Sequence, residues 1–255
     1  MRRSQLLAVV APAAIAGVIL VGWEAWVRGA SVPAYIVPAP SAIASRLFAD
    51  WDYFLPEGLR TLGGALGGLA LGSATALLFA AAMSRWRVVE AGLMPWAVAS
   101  KVTPIIAVAP LFVIWFGFTP LPKVLVAALV AFFPVLVGAV TGLRSGEPAA
   151  HELLRSLAAS ELQIFLKLRL PSALPFLFAG VKVAVPLCIV GSVVAEWVGA
   201  GRGLGQAILV ANNSLDMPAL FAAVVVLALL GLGLMGLVYW LERRLLFWHP
   251  SSFGG

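Results

Sequence analysis

Charge is what this chain has least of. Only 11% of its 255 residues are Asp, Glu, Lys or Arg, against about 25% in ordinary soluble domains. A soluble fold of this length would have too few polar side chains to cover its surface, which sets that class aside. Cysteine is scarcer still. Cys188 is the single one and lies in an apolar run, so an intrachain disulfide framework and a cysteine-based metal site are both excluded. Cys188 reads as a small lipid- or core-facing residue. His151 and His249 are the two histidines, far apart and with no cluster of Cys or carboxylates around either, which argues against a metal centre or histidine catalysis. Serines are scattered without a positioned base, so nucleophilic chemistry has no foothold. No G-x-x-x-x-G-K-[ST] occurs, which leaves the chain without a phosphate-cradling loop. The stretch GAGRGLG at 199–205 has loosely dinucleotide-like spacing but follows an apolar helix instead of a strand, and is not read as a nucleotide site. The chain is therefore not expected to be an enzyme or to hold a cofactor of its own.

What is present is apolar: 62% hydrophobic residues and a mean hydropathy of +1.03. Lipid accepts such side chains over a whole outer face, and a spanning helix needs about 20 of them in a row. The runs at roughly 6–27, 58–83, 89–116, 122–143, 173–198 and 217–241 predict an all-α, polytopic membrane protein of six transmembrane helices forming a single domain. The first run has no small-residue cleavage site near its middle and reads as a retained helix, not a signal peptide. With both termini on one side, ten Lys and Arg (Arg2, Arg3, Arg85, Arg87, Arg144, Arg155, Lys167, Arg169, Arg243, Arg244) face one compartment and five (Arg28, Arg46, Arg60, Lys123, Arg202) face the other. The positive-inside rule puts the termini in the cytoplasm of a cell-membrane protein. The net charge of +6 is spread over helix ends and forms no stripe for nucleic acid.

Prolines at 95, 104, 110, 120, 122 and 134 are more than a simple anchor needs. Proline removes a helix hydrogen bond, so kinked packing and the lining of a pathway are both open readings. The run GGALGGLALGSA at 63–74 reads as a close helix-packing face. The segment 28–57 begins with prolines that disfavour helix, and Ser41 is a candidate cap for a short helix there.

Three ionisable residues fall within the apolar runs or at their ends: Lys101, Lys182 and Glu196. Each costs roughly 2.5–3.5 kcal/mol at a helix centre on insertion scales, so each needs a partner, water or a function. Lys101, followed by Thr103 and Pro104, is the candidate for a translocation path, with a structural pairing to a helix carbonyl or to Glu196 as the alternative. Lys182 is placed to snorkel. Glu196 is a candidate gate or partner contact, or else one half of a helix-end salt bridge with Arg202.

One cytoplasmic loop, 144–172, is not grease. Its stretch ELLRSLAASELQIFLKLRLP at 152–171 predicts a short half-apolar helix, a turn, a second helix stopped by Pro171, and re-entry into the membrane. A helix lying on lipid headgroups would look similar. The stretch resembles the EAA loop of permease subunits of binding-protein-dependent ABC importers, whose pattern is E-A-A, three residues, G, nine residues, I-x-L-P. Glu152 takes the acidic position, Ala158 the glycine position, and Leu168, Leu170 and Pro171 the closing motif. Leu153-Leu154 replaces the paired alanines, and Ala158 replaces a glycine that would tolerate positive φ. VPAYIVPAPSAI at 32–43, KVTPIIAVAPLFVIWFG at 101–117 and VVAEWVGAGRGLG at 193–205 carry the resemblance to the nitrate, sulfonate, taurine and pyrimidine-precursor or riboflavin importers over nearly the whole chain.

The resemblance implies a type I ABC importer permease whose loop forms coupling helices seated in a cytoplasmic ATPase dimer, with Glu152 and then Arg155 as polar docking contacts. It further implies a second copy of the permease and an extracytoplasmic solute-binding protein, with ATP and Mg held by the ATPases. The expected cargo is a pyrimidine vitamin precursor or riboflavin, with sulfonate, taurine or nitrate as the alternative. Rivals of other classes are an ion-coupled secondary transporter, for which Glu196 alone offers a coupling acid, and a non-transporting membrane scaffold.

Overall fold

A computed structural model describes residues 3–247, with side chains from residue 10 onward; His249 and Arg2 lie outside the described residues. The described chain is built from helices: α1 (Arg3–Gly29), α2 (Pro40–Ala49), α3 (Trp51–Arg85), α4 (Arg87–Val102), α5 (Ile105–Phe116), α6 (Leu121–Leu143), α7 (Pro148–Ser156), α8 (Glu161–Ile164), α9 (Leu170–Trp197), α10 (Leu204–Asn213) and α11 (Met217–Leu245). Five described helical stretches are long and apolar enough to cross a membrane, and α4 with α5 makes a sixth if the two arms form one broken span.

The core is the packing of α3, α6 and α9, and small residues make it possible. Buried positions on α3 recur every three or four residues (Glu57, Thr61, Gly64, Gly68, Gly72, Ala76, Ala80), so one stripe faces α6. A Cβ on Gly68 would sit 2.8 Å from the Ala127 backbone carbon, and one on Gly72 would sit 2.5 Å from the Ala128 carbonyl oxygen. The α6–α9 crossing is as close: a Cβ on Gly138 would lie 2.5 Å from the Phe176 carbonyl oxygen, and one on Gly180 would lie 2.6 Å from that of Pro134. Backbones approach this closely where helices associate by van der Waals packing in lipid.

The proline-rich run expected at 89–116 is broken by a 99° bend between α4 and α5. Proline number alone does not explain it, since Pro56, Pro95, Pro110, Pro134, Pro175 and Pro186 all lie inside continuing helices. Pro104 differs because Thr103 ahead of it has moved to an extended conformation, φ −68° and ψ 124°, which is where a pre-proline residue is driven when no neighbour holds it helical.

Two further expectations fail locally. Ser41 does not cap α2: Ala39 holds the cap position with Pro40 following. The Glu24 carboxylate of α1 accepts from the Ser41 N–H at 3.0 Å and from its hydroxyl at 2.7 Å, so the acceptor for that helix start comes from another helix. Pro171 does not stop a helix either. α8, a five-residue π-helical segment (Phe165–Arg169) and α9 run on as one element, Glu161–Trp197. The Leu170 N–H donates to the Phe165 carbonyl, five residues back. This wider turn lies just ahead of Pro171, whose ring would clash with the fourth carbonyl behind it in a regular helix.

Candidate functional site

Three constellations stand out, at the two ends of the helical core and along its flank. On the flank, the α4–α5 break opens a cavity of about 750 Å3 lined from α4 by Ser100 and Lys101, from the break itself by Thr103, from α6 by Phe133, and from α9 by Phe176. Pro104 makes the break but is not in the lining. The Lys101 ammonium lies 5.0 Å from the centroid of the Phe133 ring, within cation–π range. It is not paired with Glu196. The Ser100 and Thr103 hydroxyls donate back to the Ala97 and Ala99 carbonyls, each at 2.7 Å, which leaves their oxygens able to act as acceptors. The floor is the α6–α9 crossing, where Gly138 and Gly180 also line the space.

At the end of the core that carries α10, Glu196 is fully buried and pairs with an equally enclosed Lys123 at 2.7 Å. The sequence counts Lys123, at the start of the run 122–143, among the five basic residues facing the extracytoplasmic compartment. In the structure it occupies the first turn of α6 on the buried face, with its ammonium also donating to the Arg202 carbonyl at 2.8 Å. The Glu196 carboxylate further accepts from the Thr61 hydroxyl at 2.9 Å and from the Gly205 N–H at 2.7 Å. Thr61 in turn accepts from the Leu204 N–H at 2.9 Å, and Ser192 donates to the Thr61 carbonyl at 3.0 Å. The Glu196–Arg202 bridge does not form; the Arg202 guanidinium takes Glu57 at 2.8 Å instead.

The glycines of GAGRGLG acquire a meaning here. A Cβ on Gly205 would approach a Glu196 carboxylate oxygen to 2.8 Å, and Gly203 has less room still. Gly64 does the same for the Lys123 side chain, whose Cγ would lie 2.5 Å from an added Cβ. These glycines make space for an ion pair, not for phosphates. The signal that could have found Lys123 is its register with Val126, Ala127 and Ala131, all buried on the same face of α6.

The opposite end carries the α7 hairpin. Ala158, in the glycine position, adopts φ +56°. The Ala158 N–H donates to the Arg155 carbonyl at 2.9 Å and the Ala159 N–H to the Leu154 carbonyl at 3.0 Å, which together form a Schellman motif. Ser160 then starts the next helix in a reciprocal capping box with Gln163, each satisfying a backbone donor of the other. Arg155 reaches across the turn to Glu161 at 3.2 Å, both well over half exposed, a pair of little energetic weight. Glu152 is exposed at the edge of a hollow of about 310 Å3 shared with Arg144, His151, Leu168 and Arg169. Leu168, Leu170 and Pro171 are half-buried where the π-helical segment enters α9. The base is pinned: Arg144 makes two hydrogen bonds to Glu90, at 2.7 and 2.6 Å, and a third to the Met83 carbonyl at 3.2 Å. Glu90 raises the Arg144 guanidinium above its ordinary pKa, chiefly through those hydrogen bonds.

Leu153, Leu157, Leu162 and Leu166 are each more than half exposed on this hairpin, and α7 buries none of its own residues. Lys182 does not snorkel freely: it pairs with Glu242 at 2.5 Å and lies 4.5 Å from the Tyr239 ring centroid. Among the described residues no group of three or more His, Cys, Asp or Glu gathers to hold a metal ion.

The family model described as "Binding-protein-dependent transport system inner membrane component" matches residues 68–247. The chain belongs to this family. Similar proteins include the riboflavin transport system permease protein RibX of Chloroflexus aurantiacus, 38% identical over 91% of this chain and 88% of its own length. The formylaminopyrimidine transport permease protein ThiX of Halalkalibacterium halodurans is 35% identical over 92% and 94%. A putative aliphatic sulfonates transport permease protein, SsuC of Bacillus subtilis, is 31% identical over 93% and 87%. As an ABC importer permease, the chain is a multi-pass membrane transport subunit, and the family name implies a binding protein as a partner.

Proposed function

We propose that this permease imports a flat vitamin precursor, a pyrimidine or riboflavin, as one of two copies working with a cytoplasmic pair of ATPases that hold ATP and Mg. An extracytoplasmic binding protein delivers the solute to the α10 end. The single observation that carries the energy-coupling part is the α7 hairpin, a short helix with exposed leucines held by a Schellman turn on a 37-residue helix reaching from Glu161 to Trp197. Such a helix suits an apolar groove on a partner. The long α8–α9 rod passes a movement at that groove to the core as rigid-body motion. Glu152 and Arg155 are its polar docking contacts, Ala158 sets the turn, and Leu168, Leu170 and Pro171 join the hairpin to the rod. Lys101 and Thr103 line the path, Pro104 shapes it, and Glu196 locks the outer end with Lys123.

The cargo reading is favoured by the riboflavin and formylaminopyrimidine permeases, at 38% and 35% identity, over the sulfonate permease at 31%. An ion-coupled carrier needs an acid that exchanges with water, whereas Glu196 is sealed in an ion pair. The test is uptake by cells lacking the chromosomal transporter, with the chain expressed alongside its ATPase. Glu152→Arg is expected to abolish co-purification of the ATPase and cut uptake at least tenfold while the permease stays in the membrane. Normal uptake in that variant, or uptake that persists on an ion gradient without the ATPase, overturns the reading.

A further inference from the structure

The cavity at the α4–α5 break has a composition more particular than a conduit requires. Two aromatic rings, Phe133 of α6 and Phe176 of α9, line the same space, and Phe133 faces the Lys101 ammonium at 5.0 Å. Lys101 is the only charged side chain in the lining. The two hydroxyls on the α4 rim have committed their protons to backbone carbonyls at 2.7 Å, so what they offer a ligand is acceptor oxygens. Thr141 adds one more hydroxyl, which can accept as well as donate, and the rest of the lining is apolar. The floor cannot yield readily, because Gly138 and Gly180 already bring the α6 and α9 backbones into contact.

Each feature selects on chemistry. An aromatic face rewards a flat π-system, the ammonium rewards a carbonyl or an anionic oxygen, and acceptor oxygens reward ring or exocyclic N–H groups. A small tetrahedral anion on an aliphatic chain would use the ammonium but neither the ring faces nor the acceptors. Resting on the importer reading above, we infer that this cavity is a substrate-selecting site of the permease itself, in which a heterocycle bearing both a carbonyl and N–H donors stacks on Phe133 with its carbonyl at Lys101. Selection is then exercised twice, once by the binding protein and again in the membrane.

The test is direct binding to the assembled permease–ATPase complex in nanodiscs without any binding protein, using riboflavin, formylaminopyrimidine and an alkanesulfonate as probes in ligand-detected NMR. Riboflavin and formylaminopyrimidine are expected to bind and to compete with each other, and the alkanesulfonate is expected not to displace them. Phe133→Leu should weaken both by about tenfold, the size of an aromatic stacking contribution. Lys101→Met should weaken them about fivefold. Thermal melting and co-purification of the ATPase check that each variant is folded and assembled, and Phe133→Tyr, which keeps the ring, is expected to retain binding where Phe133→Leu loses it. Unchanged binding in Phe133→Leu and Lys101→Met, no binding by the wild type, or displacement by the alkanesulfonate overturns the inference. The importer reading falls separately, on uptake that does not depend on the ATPase.

Discussion

At the scale of single residues, the buried Lys123–Glu196 pair is the most consequential contact. Removing one partner leaves the other charge enclosed without its counter-ion, a loss of about 3–5 kcal/mol where it has been measured in protein interiors. Lys123→Met is therefore expected to lower the melting temperature of the detergent-solubilised permease sharply, or to prevent its accumulation. The double variant Lys123→Met with Glu196→Leu should recover most of that loss, since replacing a whole buried pair by apolar groups is commonly near neutral. A double variant as unstable as the single one would show that the hydrogen bonds from Thr61 and Gly205, not the charge balance, hold this end. Ala158 gives the opposite sign. An L-residue in the left-handed region is strained by roughly 1–2 kcal/mol, so Ala158→Gly is expected to slow amide exchange in the 155–160 turn severalfold, with uptake retained. Exchange that quickens would mean the added backbone freedom of glycine outweighs the relieved strain.

At the scale of elements, the legible part was whatever period and length carry. The apolar runs and the glycine stripe of α3 were readable because a spanning helix must be long, and a tight helix contact must be small on one face. Less legible was what depends on two elements at once. Lys123 and Glu196 are 73 positions apart in the sequence, and their enclosure depends on Gly64, Gly203 and Gly205 lying around them. Nothing local marks Pro104 as the proline that breaks a span while Pro95 and Pro110 do not, because the outcome turns on whether neighbouring helices hold the preceding residue in place. Pro171 misled for a related reason: a π-helical segment absorbs its missing donor within the same element. The glycines offer a paired test of the packing. A Cβ on Gly63 meets nothing within 4 Å, whereas one on Gly68 overlaps Ala127. Gly63→Ala should be neutral or slightly stabilising in a melting assay, and Gly68→Ala should destabilise by about 1–3 kcal/mol, the usual effect of overpacking. Equal behaviour of the two would contradict the α3–α6 contact.

At the scale of the whole molecule, the assignment of ends to compartments governs how every site is used. The hairpin end carries Arg85, Arg87, Arg144, Arg155, Lys167, Arg169, Arg243 and Arg244, while the α10 end has Arg28, Arg46, Arg60, Lys123 and Arg202. Orientation follows the number of Lys and Arg near the span ends, so the proposed reading puts the hairpin inside the cell, where an ATPase can reach it, and the turn around Phe118 outside. The native Cys188 is completely buried, which makes it a silent background for thiol labelling. Leu157→Cys and Phe118→Cys, at positions 69% and 80% exposed, should therefore report on the two faces without removal of the natural thiol. In intact cells a membrane-impermeant maleimide is expected to label Phe118→Cys and leave Leu157→Cys unmodified, and in inverted vesicles the pattern should reverse. Labelling of Leu157→Cys from outside would turn the molecule over. The α7 hairpin would then lie on the side where no ATPase works, and the coupling role argued for it would fail whatever solute the cavity takes.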